Sequence, residues 1–210
     1  MVPNIDEKVV SDWISELFNK QKEHISTLRA EPISARRKRL LHLRKWVLSH
    51  KPMIQKAIYS DFSKPDMEVD ATEVFPVIDE LSHALANLDR WTKPRKIDAP
   101  MTMLGTRAEV RAQAKGVCLI IAPWNYPFNL CIAPLVSALA AGNSVIIKPS
   151  ELTPNTSALI KKMCDDLFDE KVVAVCEGGV EVSQHLLKLP FDHIFFTGSP
   201  AIGKVVMKAA

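Results

Sequence analysis

With 210 residues, 47% of them hydrophobic and 24% charged, the chain has the balance of a globular protein and room for one large domain, or one domain with an appendage. Its formal charge of +3 is too slight to imply nucleic-acid or acidic-membrane binding. No apolar run approaches the roughly 20 residues of a spanning helix. The start, MVPNIDEKVVSDW, has no basic region leading into an apolar stretch, so no signal peptide is expected either.

Residues 5–91 read as helical. Ile5, Val9, Trp13, Leu17 and Phe18 recur at helical spacing, and Ile25 and Leu28 continue the stripe until Pro32 interrupts it. A second helix is expected through LLHLRKWVLSH, a third from Pro52 to about Phe62, and a fourth through TEVFPVIDELSHALANLDRW. Pro65 marks a break and Pro76 a kink. The run ARRKRLLHLRK invites a nucleic-acid reading. Its basic residues lie opposite Leu40, Leu43 and Val47, however, and no stacking aromatics accompany them, so a solvated helix face is expected.

From Thr92 to Lys115 prolines, glycines and a short alternating stretch predict extended chain. Strand and helix patterns then alternate. GVCLIIA reads as a strand buried on both faces, and FNLCIAPLVSALAAG as a helix with Gly142 at its C-cap. SVIIKP follows as a strand, and Thr153-Pro154 as the N-cap and first position of the next helix. VVAVCEGG, EVSQHLLKL and HIFFTG continue as strand, helix and strand, and Ser199-Pro200 caps a last helix. Four β–α units predict an α/β fold: a Rossmann-like parallel sheet with helices on both faces, preceded by the helical segment. Ligands bind such sheets at the carboxyl ends of the strands. APWNYP, KPSE, EGG and TGSPAIG are therefore the segments expected to carry function.

Cys118, Cys131, Cys164 and Cys176 never form C-x-x-C and each falls in an apolar segment. They are expected to be reduced core residues in a cytoplasmic setting. The six histidines are scattered without a metal-binding pattern, so no metal site is expected.

The last β–α turn, FFTGSPAIGKVV, allows three readings. Gly198, Gly203 and Lys204 fit a P-loop until Val205, which cannot hold magnesium, and Pro200 removes a backbone donor from the cradle. A dinucleotide cradle needs no metal: its pyrophosphate would meet helix N–H groups and the Ser199 hydroxyl, with Gly203 letting the helix press close. An ordinary strand-to-helix turn is the third.

APWNYPF, AGNSVIIKPSELTP and FFTGSPAIGK, in this order and spacing, resemble the aldehyde dehydrogenase superfamily. The upstream segments RRKRLLHLRKWVLSHKPMIQKAIYSDFSKP, TEVFPVIDEL and DRWTKPRK look most like its class 3, or fatty-aldehyde, branch. The resemblance covers nearly the whole chain. It implies oxidation of an aldehyde, held as a cysteine thiohemiacetal, to a carboxylic acid by way of a thioester, with NAD as cofactor and NADP possible. Asn125 matches the asparagine whose amide stabilises the tetrahedral oxyanion. Lys148 and Glu151 match the turn that faces the adenosine ribose hydroxyls, and Ala122, Pro123 and Trp124 would line the cofactor cleft. Gly178 and Gly179 would lie near the adenine. Gly198, Ser199, Pro200, Ala201, Ile202 and Gly203 would form the pyrophosphate turn.

The same resemblance divides the chain into a helical segment at 1–91, a linker with oligomerisation strands at 92–115, and the cofactor-binding domain at 116–210. The family's nucleophilic cysteine and base glutamate match nothing here and are expected beyond Ala210, so the chain alone is expected to be inactive. A non-catalytic paralogue that binds nucleotide or a partner is the alternative. The substrate class implied is medium- or long-chain aliphatic and aromatic aldehydes, the parent enzyme is expected to be a homodimer, and no nucleic-acid partner is expected.

Overall fold

A computed structural model describes residues 7–98, 100–103 and 105–210. The chain opens with three helices, α1 (Glu7–Ala30), α2 (Ile33–Ser49) and α3 (Lys51–Phe62). A short helix, α4 (Asp66–Val69), runs through a π-helical turn, Asp70–Val74, into α5 (Phe75–Thr92). Pro32 stands just before α2, and Ser63 ends α3 in the left-handed region at φ 56°. Pro76 does not break its helix: the wider π turn just before it absorbs the missing N–H and the ring's demand for space.

A small antiparallel hairpin follows, β1 (Arg95–Ile97) with β2 (Ala108–Val110). The rest alternates: β3 (Val117–Ile121), α6 (Asn129–Ala141), β4 (Ser144–Lys148), α7 (Pro154–Leu167), β5 (Val173–Val175), α8 (Val180–Leu186), β6 (His193–Phe196) and α9 (Pro200–Ala209). The four strands β3 to β6 form one parallel sheet in the order β5-β4-β3-β6. The expected α/β architecture is thus present.

Period-2 geometry sends alternate side chains of each strand to opposite faces. Cys118, Ile120, Val145, Ile147, Val173 and Val175 join one core with α2, α3, α5, α6 and α7. Val117, Leu119, Ile146 and Ala174 join a second core with Ile14, Leu17 and Phe18 of α1 and with Val182 and Leu186 of α8. The first helices therefore wall both faces of the sheet.

Several local expectations change. In α1 the buried stripe runs through Ile14, Leu17, Phe18 and Gln21, while Val9 and Trp13 are exposed; Ile5 lies outside the described residues. Gln21 is buried because its amide donates to the carbonyls of Val145 and Glu170, fixing α1 to the sheet. The basic face of α2 is not simply solvated. Arg36 is buried with its guanidinium over Gly142, Arg39 makes a two-pronged bond to Glu31, and Arg37 binds the Leu85 carbonyl and Asp89. Gly142 does end α6 in the left-handed region, at φ 87°, and a Cβ there would lie 2.4 Å from the Arg36 guanidinium carbon. Cys176 sits one residue past β5, where its N–H still donates to Ile147.

Thr153 occupies the N-cap of α7, but its hydroxyl makes no capping bond. Asp61 of α3 replaces it from across the fold. Its carboxylate accepts the N–H groups of Asn155 and Thr156, the Asn155 amide and the Thr156 hydroxyl, at 2.7 to 2.9 Å. Asp61→Ala is expected to cost about 1–3 kcal/mol, since orphaned helix N–H groups and a charged acceptor are lost together. For a chain of this size that is a fall in melting temperature of roughly 2–4 °C per kcal/mol, readable by thermal unfolding; an unchanged melting temperature would show that the bonds contribute nothing net.

Candidate functional site

Parallel pairing brings four loops to one edge of the sheet. Ile121 lies opposite both Lys148 and Phe196, and Ile147 opposite Val175, so all four strands finish within a residue or two of one level. From that edge leave Ala122–Tyr126, Pro149–Leu152, Cys176–Gly179 and Thr197–Ser199. The sheet order contains a topological switch. From β3 the chain moves outward through β4 to β5, then returns to the other side of β3 for β6. The crevice between the β3 and β6 loops is the place where an open α/β sheet takes its ligand.

On one side of the crevice stands the turn before α9. Ser199 is the N-cap, its hydroxyl accepting the Ile202 N–H at 3.4 Å, with Pro200 in the first turn and Gly203 N–H bonded to the Ser199 carbonyl. A Cβ at Gly198 would stand 2.4 Å from the Phe196 ring. At Gly203 the corresponding contact is an ordinary 3.5 Å, so packing inside the chain does not itself demand glycine there.

At the end of β4, Lys148 is 3% exposed and donates to the Pro149 carbonyl and to Glu151 Oε2, both at 2.9 Å. Burial pulls the Glu151 carboxyl upward, but the Lys148 hydrogen bond and charge, together with a backbone N–H, outweigh it and hold the group below its ordinary range. Past β5, Gly178 has φ 136°, where a Cβ would also strike Val182, and the Gly179 N–H donates to Glu181 at 2.9 Å. The EGG turn thus ends as the start of α8, with Gly179 as its N-cap.

On the other side, Ala122 is buried and bonds the Lys148 carbonyl through its N–H, whereas Trp124 is about half exposed. Asn125 and Tyr126 border a polar hollow of about 370 Å³ with Phe62, Lys64 and Glu68. Beneath that loop lies a feature that sequence reasoning missed. Lys64 Nζ donates to Glu73 Oε1 at 2.8 Å and to the Asn125 carbonyl at 3.2 Å, and sits 4.4 Å from the centre of the Tyr126 ring. Glu73 Oε2 accepts the Asn129 N–H at 2.9 Å. Glu73 belongs to the π turn and is fully buried; burial drives its carboxyl up from the ordinary range, against the pull of Asn129 and Lys64. A signal was present: Glu73 stands midway between Val69 and Val77 on an otherwise apolar stripe.

A larger, more apolar groove of about 560 Å³ runs between α6, β3 and β6 past Cys118, Ile120, Pro134, His193 and Phe195. It runs along β3 and β6 and holds none of the loop residues above. All four cysteines are buried and unpaired. Burial pushes the Cys118 thiol up to about 11 and Cys176 up to about 12, and drives Cys131 and Cys164 upward as well. A thiolate nucleophile needs the opposite environment.

The chain matches the family model described as Aldehyde dehydrogenase family over residues 3–210. It belongs to the aldehyde dehydrogenase family. A 4,4'-diaponeurosporen-aldehyde dehydrogenase of Staphylococcus aureus is 41% identical over 94% of this chain and 43% of its own length. Aldehyde dehydrogenase family 3 member A2 of Macaca fascicularis is 41% identical over 87% of this chain and 38% of its own. A structure of Staphylococcus aureus AldH, described as its substrate-bound state, superposes with a TM-score of 0.90 at 41% identity, covering 94% of this chain and 43% of that one. The chain therefore spans less than half the length of these aldehyde dehydrogenases, and its partial fold is theirs.

Two outcomes follow from the charges and thiols. Because the Glu151 carboxyl is held below its unfolded value near 4.3, its contribution to stability is present above that value and disappears as pH falls through the lower, folded one. Wild type and Glu151→Gln are expected to differ most above about pH 5 and to converge in acid, measured by urea unfolding across pH. With an aromatic disulfide reagent at pH 8, the folded chain should show no fast thiol and the unfolded chain should show four; a fast thiol in the folded chain would overturn the inert reading.

Proposed function

We propose that this chain is the cofactor-binding portion of an NAD(P)-dependent aldehyde dehydrogenase, and that it contributes one catalytic group, Asn125. The observation that carries this reading is the switch crevice, which has the Ser199-capped turn on one side and the Asn125 loop on the other. The residues fit a dinucleotide. The helix N-terminus at Ser199–Ile202 supplies polar hydrogens for a pyrophosphate without calling for a metal. Glu151, held as a carboxylate by Lys148, suits ribose hydroxyls and disfavours an added 2′-phosphate, which supports NAD over NADP. Ala122, Pro123, Trp124, Gly178 and Gly179 complete the rim. When bound, the nicotinamide accepts the hydride that the aldehyde gives up on oxidation.

Asn125 acts at the oxyanion. Its side-chain amide donates to the aldehyde oxygen as that atom gains negative charge, a contribution worth about 10² to 10³ in rate. The chain's own thiols do not serve as nucleophile, being buried with raised pKa values. The nucleophilic cysteine and the base glutamate therefore lie outside these 210 residues, and the chain alone binds cofactor without turning over aldehyde. The buried, unpaired thiols suit a reducing compartment such as the cytoplasm, and no described helix is long and apolar enough to cross a membrane. The substrate is an aldehyde, aliphatic or aromatic, and the complete enzyme a homodimer.

Titration calorimetry tests the reading. NAD is expected to bind the isolated chain, Glu151→Ala to weaken it, Asn125→Ala to leave it unchanged, and magnesium to have no effect. Absence of NAD binding, or binding of ATP with magnesium that NAD cannot displace, would sink it.

A further inference from the structure

Of the ion pairs among the described residues, Lys64–Glu73 has both side chains out of solvent, at 6% and 0% exposure. Burying two charges is unfavourable unless their hydrogen-bonding capacity is used, and here every bond goes to one stretch of chain. Lys64 holds the Asn125 carbonyl and covers the Tyr126 ring, and Glu73 holds the Asn129 N–H. A fourth bond, from the Asn129 amide to the Thr72 carbonyl, ties the same point to the π turn. The loop Asn125–Asn129 is thus gripped at both ends by a pair anchored in separate elements, the corner after α3 and the π turn before α5.

We propose that Lys64 and Glu73 are positioning residues for the Asn125 amide: they fix the backbone from which that side chain is aimed. The proposal rests on the reading of Asn125 as the oxyanion donor, while the grip itself does not depend on it. A pair serving stability alone could be replaced by apolar side chains of similar size without disturbing the loop. A positioning pair could not, because Met and Leu supply neither the donor to Asn125 nor the acceptor for Asn129.

The chain has four tryptophans, Trp13, Trp46, Trp91 and Trp124, so 5-fluorotryptophan labelling gives one fluorine resonance next to Asn125 and three controls. In Lys64→Met/Glu73→Leu the Trp124 line is expected to shift or broaden while the other three stay in place, and Lys64→Arg is expected to keep the wild-type line. An unmoved Trp124 line in the folded double variant would overturn the proposal. Should all four lines collapse, Lys64→Met alone decides, since it removes the donor to the Asn125 carbonyl and leaves Glu73 to hold Asn129: a Trp124 line displaced alone supports positioning, and an unmoved one refutes it. In the complete dehydrogenase the double variant is expected to lower kcat, by up to about 10² to 10³, with cofactor KM held; an unchanged kcat counts against it. If Asn125→Ala itself leaves kcat unchanged, the oxyanion reading fails, and the fluorine result still decides the grip.

Discussion

A parallel strand such as β3 has no face to offer water, because both sets of its side chains are apolar and its backbone is already paired to neighbours. The sheet can exist only if something covers it twice. The chain meets that constraint with helices from opposite ends of its sequence: α1 and α8 on one face, α2, α3 and α5 with α6 and α7 on the other. Once both faces are sealed, the edges alone remain open to solvent. Parallel register then gathers the loops with chemical groups at one of them. The helical start of the chain is thus a structural condition for the edge that gathers these loops.

The same economy appears in how charge is used. Asp61, Arg36 and the Lys64–Glu73 pair each come from the helical half and each satisfies backbone groups of the sheet half: the start of α7, the end of α6, and the loop after β3. A buried charge left without its partner is far more costly than a neutral group in the same position. These contacts therefore fix how the two halves register against one another more sharply than the surrounding apolar packing, which tolerates small slides.

Much of this was legible in the residues. Short apolar runs alternating with helical stripes specified β3 to β6 and α6 to α9, because both periodicities are local and strong there. Gly142 and Ser199 announced their caps through chemistry that few other residues supply. What failed to show depends on distant partners. Thr153 looks like a cap, yet the capping carboxylate is Asp61, more than ninety residues earlier. Val9 and Trp13 extend an apolar stripe that the fold rotates to solvent, since Gln21, polar and therefore discounted, has sheet carbonyls waiting for it. Arg36 reads as surface because nothing near it in sequence says that a glycine has cleared a seat for its guanidinium. At the site, the Asn125 loop was visible as a motif, whereas its support was not: Lys64 and Glu73 become a unit only when the π turn sets them side by side.

That π turn also limits how the gene can vary in length. Each residue of an α-helix turns the chain by about 100°, and the wide turn at Asp70–Val74 carries in effect one residue more than an α-helix would. Deleting a single codon there would let the backbone relax into regular helix with Val77, Leu81, Ala84 and Leu88 still turned to the core they fill, but it would dissolve the wide turn that seats Glu73. A further insertion would find no such outlet and would rotate that apolar face by about 100°. The segment thus tolerates the loss of one residue better than the gain of one, and the extra residue it keeps serves the support of the Asn125 loop.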